Sequence, residues 1–382
     1  MGLLRLYLAL CVVGAHAGPL SPWASHDAHQ AVQIFYMISG FYMQMVYNAN
    51  YSSPGEFYAN RFMRIFFPYW TILVLTIGLS LFAAMMQWNW VWTALKPYFQ
   101  NPLETNGLLG VVLTALSNIT IFFQDWVMFL QHDAGNSLAF TNDFRTSNSP
   151  LYQFLLLPQA WTVGVELTFY LLVPYLTSLK SKTLLAIVAI SLLARVLAYE
   201  YLDFKRDPWE YRFFPFELAL FITGMLSHRL YNALPYQRIT ARPNRTRDYC
   251  LSAVLLVFAF AVASRAVEAL GTVVGHHYAV LISYGVWAIV IPALFQVFGK
   301  WKHDRFIGEL SYPVYLSHLI AVSVAIAALG KLGISTTFLG PVAGVLSVFL
   351  AICLYIFIFE PLESKRHAIA KKMTQNKEPK TE

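Results

Sequence analysis

Long apolar runs, separated by short polar segments, recur from one end of the chain to the other. A helix needs roughly 20 mostly apolar residues to cross the hydrocarbon core of a bilayer, so each run predicts one transmembrane helix. The chain is therefore expected to be an all-α polytopic membrane protein. The ten predicted spans are 3–20, 31–47, 65–86, 157–179, 183–199, 214–228, 250–270, 278–298, 307–328 and 339–359.

One further apolar segment, 107–123, is predicted to form a re-entrant or surface helix rather than a crossing. Counting it as a crossing would place Lys180, Lys182 and all later basic loops on the wrong side of the membrane. Such a helix is tolerated at membrane depth where protein rather than lipid surrounds it. Residues 1–363 are expected to form one membrane-embedded domain, and 364–382 a short, charged, disordered cytoplasmic tail.

The composition agrees with a membrane protein, because 57% of the 382 residues are hydrophobic and only 12% are charged. Soluble domains average about 25% charged residues. The net charge of +7 does not indicate nucleic-acid binding, since the basic residues lie in short loops rather than on one patch. The three cysteines lie in or beside apolar segments, which argues against a disulfide framework.

The loops rich in Lys and Arg predict the topology, because cytoplasmic loops are enriched in these residues. Both termini are expected in the cytoplasm. The clusters are Arg61/Arg64, Lys180/Lys182, Arg238/Arg242/Arg245/Arg247, Lys300/Lys302/Arg305 and Lys365/Arg366/Lys371/Lys372.

The stretch LLRLYLALCVVGAHAG (3–18) has two incompatible interpretations. It is either a secretory signal peptide cleaved after Ala17 or a first membrane helix that stays in the protein. Arg5 and His16 are eleven positions apart, which places them on one helix face, roughly 16 Å apart along the axis. A signal peptide has no use for this arrangement, so we expect the helix to be retained. Taken alone, a snorkelling Arg5 and a loop His16 explain the pair equally well.

Two more motifs combine polar residues with predicted spans. In VQIFYMISGFYM (32–43), Ser39 lies at mid-membrane, where serine can form hydrogen bonds between helices. In NRFMRIFFPYW (60–70), Arg61 and Arg64 share one face of a helix that begins at the inner interface. Paired guanidinium groups suit phosphate, which they bind in a bidentate manner. Helix packing and anchoring at the membrane surface are the simpler alternatives.

Six motifs occur in one order, and together they resemble the type-three acyltransferase family (acyltransferase family 3) of integral membrane proteins. The resemblance covers roughly residues 2–363 and implies transfer of acyl groups, often acetyl or succinyl, to sugars of surface polysaccharides and lipopolysaccharides. It implies acyl-coenzyme A as the donor, with acetyl-coenzyme A expected here, a carbohydrate or glycolipid acceptor, and a place in the inner (plasma) membrane of a bacterium. The motifs are Arg5-x10-His16, FYMISGF (35–41), RFMRIFFPYW (61–70), WTVGVELTFYLLVP (161–174), GELSYPVYLSHLI (308–320) and FEP (359–361).

The resemblance also implies roles for individual residues near the N-terminus. His16 matches the essential membrane histidine of the family, and Arg5 matches its paired arginine. Arg61 and Arg64 match the twin arginines that are proposed to hold the phosphates of the donor. These three arginines are therefore the expected donor-binding residues.

The mid-chain motif supplies a second group of candidates. Trp161 and Glu166 match its tryptophan and its first acidic residue, while Leu167 stands where many members have a second acidic residue. Glu166 is expected to be catalytic, since an ionisable group inside an apolar span is costly and usually functional. A structural ion pair between Glu166 and Arg5 or Arg195 is the alternative.

The last motif places Ser311, Tyr315 and His318 on one helix face. These side chains could line an acceptor pocket, although an interfacial Tyr/His belt explains them nearly as well. Together with Ser39 and Trp161, Tyr315 and His318 are the residues expected to contact the substrate.

The chemistry can be considered from the residues alone. Acyl transfer from a thioester to a hydroxyl needs a base near the alcohol and stabilisation of the developing oxyanion. Histidine suits the base role because its unperturbed pKa, about 6.5, is close to neutral pH. His16 is therefore the predicted base, and direct transfer is the simpler mechanism because no Gly-x-Ser-x-Gly motif is present. His26, Asp27 and His29 have no further ligand cluster nearby, so no metal site is predicted.

Two functions from other classes share some of these features. A secondary transporter also buries Arg, His and Glu in its spans, but it should show inverted repeats or paired broken helices, and the sequence shows neither. A polysaccharide polymerase or flippase would share the length and the sugar substrate without needing twin arginines at the cytoplasmic surface. Binding of coenzyme A distinguishes these alternatives from an acyltransferase.

Overall fold

The computed structural model describes residues 1–20, 27–86, 94–99, 102–132, 137–147, 149–235, 246–299 and 301–362. Helices dominate this part of the chain, and its only strands, β1 (Leu130–His132) and β2 (Leu138–Phe140), form one short antiparallel hairpin. The expectation of a helical membrane protein is confirmed. The predicted tail 364–382 lies outside the described residues, as do the cluster from Lys365 to Lys372 and most of the basic loop between 238 and 247.

The described residues form twelve α-helices, and every helix except α4 and α5 coincides with one predicted span. A π-helical turn at Tyr355–Phe359 continues the last helix. The helices are α1 (Gly2–Ala17), α2 (Ala28–Asn50), α3 (Pro54–Met85), α4 (Pro102–Thr120), α5 (Gln124–Val127), α6 (Trp161–Leu176), α7 (Ser181–Tyr201), α8 (Phe214–Ala233), α9 (Thr246–Val274), α10 (His276–Phe298), α11 (Lys302–Leu332) and α12 (Leu339–Leu354).

Only some of these helices qualify as membrane spans by length and hydropathy. Helices α1 and α6 have 16 residues each, and α2 and α8 carry buried polar residues such as Gln33 and Glu217. These inner helices pack on one another and on α11: α2 contacts α8 and α6, and α1 contacts α11. The number of crossings therefore stays a prediction. Within the described residues, six segments qualify: Pro54–Met85, Ser181–Tyr201, Asp248–Val274, His276–Phe298, His303–Leu332 and Thr336–Leu362.

Helix α3 begins at Pro54, well before the predicted start at residue 65. The hydroxyl of Ser53 accepts a hydrogen bond from the backbone N–H of Glu56 (3.3 Å), and proline occupies the first helical position. Both features are strong signals for the start of a helix. Arg61 and Arg64 therefore lie well inside α3, and the expectation that they stand at its beginning is wrong.

The side chain of Asp304 in α11 caps the N-terminus of α1. The Asp304 carboxylate accepts hydrogen bonds from the backbone N–H groups of Gly2 (2.7 Å) and Leu3 (3.0 Å), and it forms an ion pair with the ammonium group of Met1. A carboxylate at this position satisfies N–H groups that have no partner inside the helix and interacts favourably with the helix dipole. These contacts make α1 an integral part of the helix bundle.

Two glycines bring the backbones of α2 and α8 into direct contact. A Cβ atom on Gly40 would lie 1.9 Å from the carbonyl oxygen of Phe221, and one on Gly224 would lie 1.9 Å from the carbonyl oxygen of Met37. Small residues allow this close approach between membrane helices, where van der Waals packing supplies most of the association energy. Ser39, the residue before Gly40, is half-buried and faces α6.

Helix α4 ends beside the middle of α3. The Tyr69 hydroxyl donates a hydrogen bond to the carbonyl oxygen of Asn118 (2.7 Å), and the Asn118 side chain accepts one from the backbone N–H of Leu156 (2.8 Å). The chain then turns at Ile121 and Phe123, which both have positive φ. A helix thus covers most of 107–123, and whether it is a re-entrant or surface helix stays a prediction.

The contact between α2 and α8 leads to a prediction about stability. Gly224→Ala should lower the stability of the folded protein by about 1–3 kcal/mol, because the new methyl group forces the two helices apart. The loss should appear as a lower midpoint of thermal unfolding for the purified protein in detergent. Gly285→Ala is the matched control, since a Cβ atom on Gly285 meets no atom within 4 Å. Equal midpoints for the two variants would contradict this account of the interface.

Candidate functional site

His16, near the end of α1, lies beside His318 of α11, with their ring centroids 4.9 Å apart. Nδ1 of His16 donates a hydrogen bond to the carbonyl oxygen of Val12 (3.0 Å), and Nδ1 of His318 donates one to that of Tyr315 (2.6 Å). Because a carbonyl oxygen only accepts, the neutral rings carry their proton on Nδ1 and keep Nε2 as an acceptor. His16 is exposed, whereas His318 is fully buried and its Nε2 has no partner among the described residues.

Tyr315 connects the histidine pair to the start of α6. Its ring lies 6.0 Å from that of His318, and its hydroxyl accepts a hydrogen bond from Thr162 Oγ1 (2.8 Å). The same hydroxyl donates to the carbonyl oxygen of Gln159 (2.6 Å). Trp161, the neighbour of Thr162, is also buried. Residues that are far apart in the sequence thus meet at one end of the bundle.

A second group of polar side chains lies between α2 and α6, and we call Ser39, Glu166 and Tyr170 the Glu166 cluster. Ser39 Oγ donates to Glu166 Oε1 at 2.5 Å, and the Tyr170 hydroxyl donates to the same oxygen at 2.6 Å. Two short hydrogen bonds, from α2 and α6, therefore converge on one carboxylate oxygen. Tyr170 lies one helical turn after Glu166, but this spacing alone does not identify the contact, because ordinary helix packing produces the same spacing.

Arg61 of α3 lies against the Glu166 cluster. Its guanidinium carbon lies 5.7 Å from the ring centroid of Tyr170 and 5.6 Å from that of Phe57, within the range of cation–π interaction. Its Nη2 donates a hydrogen bond to the hydroxyl of Tyr51 (3.1 Å). Its Nε is buried and has no partner among the residues that the structure describes. Arg61 therefore keeps a donor available for an anionic ligand.

Arg64 and Arg5 take other positions. Arg64 Nη2 donates to both carboxylate oxygens of Glu309 (3.0 and 3.2 Å), so its charge is already paired within the protein. Arg5 of α1 and Glu309 of α11 both lie near Tyr42 of α2. Glu309 and His318 are nine residues apart on α11, so this end of the site lies about 14 Å along the helix axis from the histidine pair.

Several of the alternatives are resolved by these contacts. Glu166 does not form an ion pair with Arg5 or Arg195 among the described residues; Arg195 is paired with Glu217 (3.1 Å) instead. The hydroxyl of Ser311 donates to the carbonyl oxygen of Gly308 in its own helix, so it is not available to a substrate in this arrangement. In the described part of the chain, no group of three or more His, Cys, Asp or Glu residues could hold a metal ion. His26 lies outside that part.

A family model described as an acyltransferase domain matches residues 1–359 of the chain. The chain belongs to acyltransferase family 3. Neither the curated proteins nor the solved structures contain a match. Since several of its helices are long and apolar enough to cross a bilayer, the protein is a membrane acyltransferase. The family match runs from α1 to the π-helical turn and so includes every residue of the site described above.

The acyltransferase also has a buried ion pair that the sequence did not reveal, in the connection between α7 and α8. Nη2 of Arg212 donates to Asp207 Oδ2 (2.8 Å) and its Nε donates to Oδ1, while its Cζ lies 4.1 Å from the ring centroid of Trp161. Nη1 of Arg212 is buried and has no partner among the described residues. Burial alone would raise the pKa of Asp207, but the Arg212 guanidinium lowers it below its usual value.

This ion pair gives a prediction about stability and pH. Asp207→Asn should destabilise the acyltransferase at neutral pH by roughly 3–5 kcal/mol, because it leaves the buried Arg212 guanidinium without its counter-ion. A carboxyl whose pKa is lowered on folding stabilises the protein above its unfolded pKa, about 3.9, and loses that effect as the pH falls through the folded pKa. The gap in unfolding midpoint between wild type and variant should therefore narrow below about pH 4.

The measurement is the midpoint of thermal unfolding in detergent, recorded at pH 7 and at pH 3.5. Asp203→Asn is the matched control, because Asp203 is exposed and its positive φ is well tolerated by asparagine. If Asp207→Asn unfolds at the wild-type temperature at pH 7, the Asp207–Arg212 pair does not stabilise this region.

Proposed function

We propose that this acyltransferase transfers an acyl group, expected to be acetyl, from acyl-coenzyme A to a hydroxyl group of a cell-surface or lipid-linked carbohydrate. The proposal rests above all on the arrangement of His16 and His318, whose rings lie 4.9 Å apart, each with Nδ1 bonded to a carbonyl oxygen of its own helix. His16 is the exposed member of the pair, so it is the one that a substrate hydroxyl can reach.

The chemical step follows from the free Nε2 of His16. As the acceptor oxygen attacks the thioester carbon, Nε2 takes the hydroxyl proton and the new C–O bond forms. The C–S bond then breaks, and the proton passes from His16 to the coenzyme A thiolate. A histidine whose Nδ1–H is held by a carbonyl oxygen is in the tautomer that this step requires. His318 lies beside it and holds its ring in place.

The donor is proposed to bind at the other end of the site. The buried Nε of Arg61 supplies a donor for a phosphate oxygen, and the aromatic rings of Phe57 and Tyr170 hold its guanidinium plane. Arg5 adds positive charge near this end, whereas the charge of Arg64 is balanced by Glu309. The pantetheine arm of coenzyme A would then extend past the Glu166 cluster toward His16, a distance of about 14 Å along α11.

Replacing the arginines by lysine tests the donor site. In the variant with both Arg61→Lys and Arg64→Lys, the affinity for coenzyme A should fall by roughly tenfold or more. Lysine keeps the positive charge but lacks the planar guanidinium group that can donate two hydrogen bonds to one phosphate. Arg61→Lys alone should cause most of this loss, since Arg64 is already paired with Glu309. The measurement is the coenzyme A dissociation constant of the purified protein, by titration calorimetry.

Arg305→Lys is the matched control for this experiment, since Arg305 is exposed at the start of α11. It should bind coenzyme A with the wild-type affinity. If the double variant also binds as tightly as wild type, the two arginines are membrane anchors rather than donor ligands. A wild-type protein with no affinity for coenzyme A would favour the polymerase, flippase or transporter alternatives.

Replacing the proposed base tests the chemistry. His16→Ala should express, insert and bind donor normally, but its rate of acyl transfer should fall by about 10² to 10⁴, the usual contribution of a general base. Single-turnover transfer of radiolabelled acetyl from acetyl-coenzyme A measures this rate. His303→Ala, which removes an exposed histidine from the start of α11, should transfer at the wild-type rate. Near-normal turnover by His16→Ala, or a mature chain that begins at Gly18, would overturn the role of His16.

A further inference from the structure

Three buried side chains near the start of α6 have polar atoms that bond to no described residue. Tyr36 is 3% exposed, Gln159 is 6% exposed and Arg212 is 5% exposed. Their unpaired atoms are the Tyr36 hydroxyl oxygen, Gln159 Oε1 and Arg212 Nη1. We call these residues the Arg212 group. Since buried polar atoms are normally paired with protein, water or a ligand, three such atoms in one region indicate a place where water or a ligand binds.

The members of the Arg212 group come from distant parts of the sequence but lie around Tyr315 of α11. The Tyr315 hydroxyl donates a hydrogen bond to the carbonyl oxygen of Gln159 (2.6 Å). Tyr36, Arg212 and Tyr315 lie near one another. Arg212 Cζ also lies 4.1 Å from the ring centroid of Trp161. Trp161 and Tyr315 are two of the residues expected to contact the substrate, so the Arg212 group adjoins the proposed acceptor site.

The guanidinium group of Arg212 is held rigidly, with one nitrogen unpaired. Nε and Nη2 donate hydrogen bonds to the two carboxylate oxygens of Asp207, and Nη2 also donates to the hydroxyl of Tyr211 (2.6 Å). The ring centroids of Trp161, Tyr211 and Phe144 lie 4.1, 4.6 and 5.1 Å from Cζ. A donor that is fixed before its ligand arrives loses little conformational entropy on binding, so Nη1 is well suited to recognition.

The charges around the Arg212 group argue against an anionic ligand. Nearby carboxylates outnumber nearby arginines, and protonation of His29 and His276 would at most bring the two signs into balance. The Arg212 guanidinium itself disfavours a cation. The carboxylates are Asp27, Asp125, Asp207, Glu210 and Glu217, and the arginines are Arg145, Arg195 and Arg212.

The unpaired atoms favour a neutral ligand with hydroxyl groups. Arg212 Nη1 only donates, Gln159 Oε1 only accepts, and the phenol hydroxyl of Tyr36 does both. A ligand hydroxyl also donates and accepts, so it can pair with either kind of atom. Several neutral hydroxyl groups on one molecule are characteristic of carbohydrates.

We propose that the Arg212 group binds hydroxyl groups of the carbohydrate acceptor, with Arg212 as donor, Gln159 as acceptor and Tyr36 beside them. The inference rests on the proposed function, because it assumes a carbohydrate acceptor. The hydroxyl groups bound here are other than the one that is acylated, since His16 takes the proton of that one. The group therefore determines how tightly the acceptor is held and leaves donor binding unaffected.

Tyr36→Phe tests the proposal by removing a single oxygen atom. Because the buried hydroxyl has no partner among the described residues, its loss should leave the midpoint of thermal unfolding, in detergent without acceptor, at or above the wild-type value. The KM for the acceptor should rise by about three- to tenfold, because a hydrogen bond to the carbohydrate is lost. The assay measures transfer of radiolabelled acetyl from acetyl-coenzyme A to chemically deacylated envelope polysaccharide of the host.

Tyr69→Phe is the matched control, since Tyr69 is another buried tyrosine but its hydroxyl is paired. That hydroxyl donates to the carbonyl oxygen of Asn118 (2.7 Å) and accepts a hydrogen bond from Gln124 Nε2 (2.8 Å). Its removal should lower the unfolding midpoint and leave the acceptor KM at the wild-type value. The two variants should thus show opposite patterns of stability and acceptor affinity.

Arg212→Lys tests the donor independently. Lysine keeps the positive charge beside Asp207 but lacks the planar group that carries the unpaired Nη1. The acceptor KM should rise by about tenfold or more, while the KM for acetyl-coenzyme A stays at the wild-type value. Arg206→Lys is its matched control, because Arg206 is an exposed arginine of the same connection between α7 and α8. It should leave both constants unchanged.

These measurements distinguish acceptor binding from a structural role and from a failure of the proposed function. If Tyr36→Phe, or a folded Arg212→Lys protein, keeps the wild-type acceptor KM, the Arg212 group does not bind the acceptor. An equal rise of the acceptor KM in Tyr69→Phe would show a general effect of packing and would overturn the proposal too. If wild type transfers acetyl to no polysaccharide, the proposed function fails, and this inference fails with it.

Discussion

The fold depends on the high cost of polar side chains in the apolar interior of a bilayer. The Glu166 cluster and the Glu217–Arg195 ion pair both lie within the helix bundle, and each polar group in them is bonded to another helix. The helices that carry them, including α2, α6 and α8, contact other helices, while the apolar side chains of α9 and α10 cover the surface of the bundle. With polar contacts inside the bundle and apolar side chains on its surface, a membrane domain can hold a polar site.

Close packing of the inner helices contributes to this shielding. Gly40 and Gly224 let the backbones of α2 and α8 meet, and Asp304 holds the first turn of α1 against α11. These contacts place side chains from distant parts of the sequence within hydrogen-bonding distance. The histidine pair arises in the same way, because α1 and α11 lie side by side along much of their length.

Much of this architecture is visible in the sequence, because apolar runs reveal helices that face lipid and ordered motifs reveal the family. Ser39, Glu166 and His16 were singled out as candidates, yet their partners could not be found. Tyr170 stands at a helical spacing that ordinary packing also produces, and Asp207 and Arg212 lie in a loop, where no periodicity marks a pair. Which side chain meets which depends on how the helices rotate and cross, and hydropathy carries no information about that.

The contact of Gly40 with α8 bears on the distance between two polar regions of the bundle. Helix α2 contributes Gln33 to the Glu217–Arg195 ion pair and Ser39 to the Glu166 cluster, six residues apart on a single rigid element. Gly40 packs α2 directly against α8. Gln33 and Ser39 therefore move only together, as parts of one packed helix. The two polar regions are therefore held about 9 Å apart along the axis of α2. The separation of these two polar regions is therefore set by one segment of helix and not by the connecting loops.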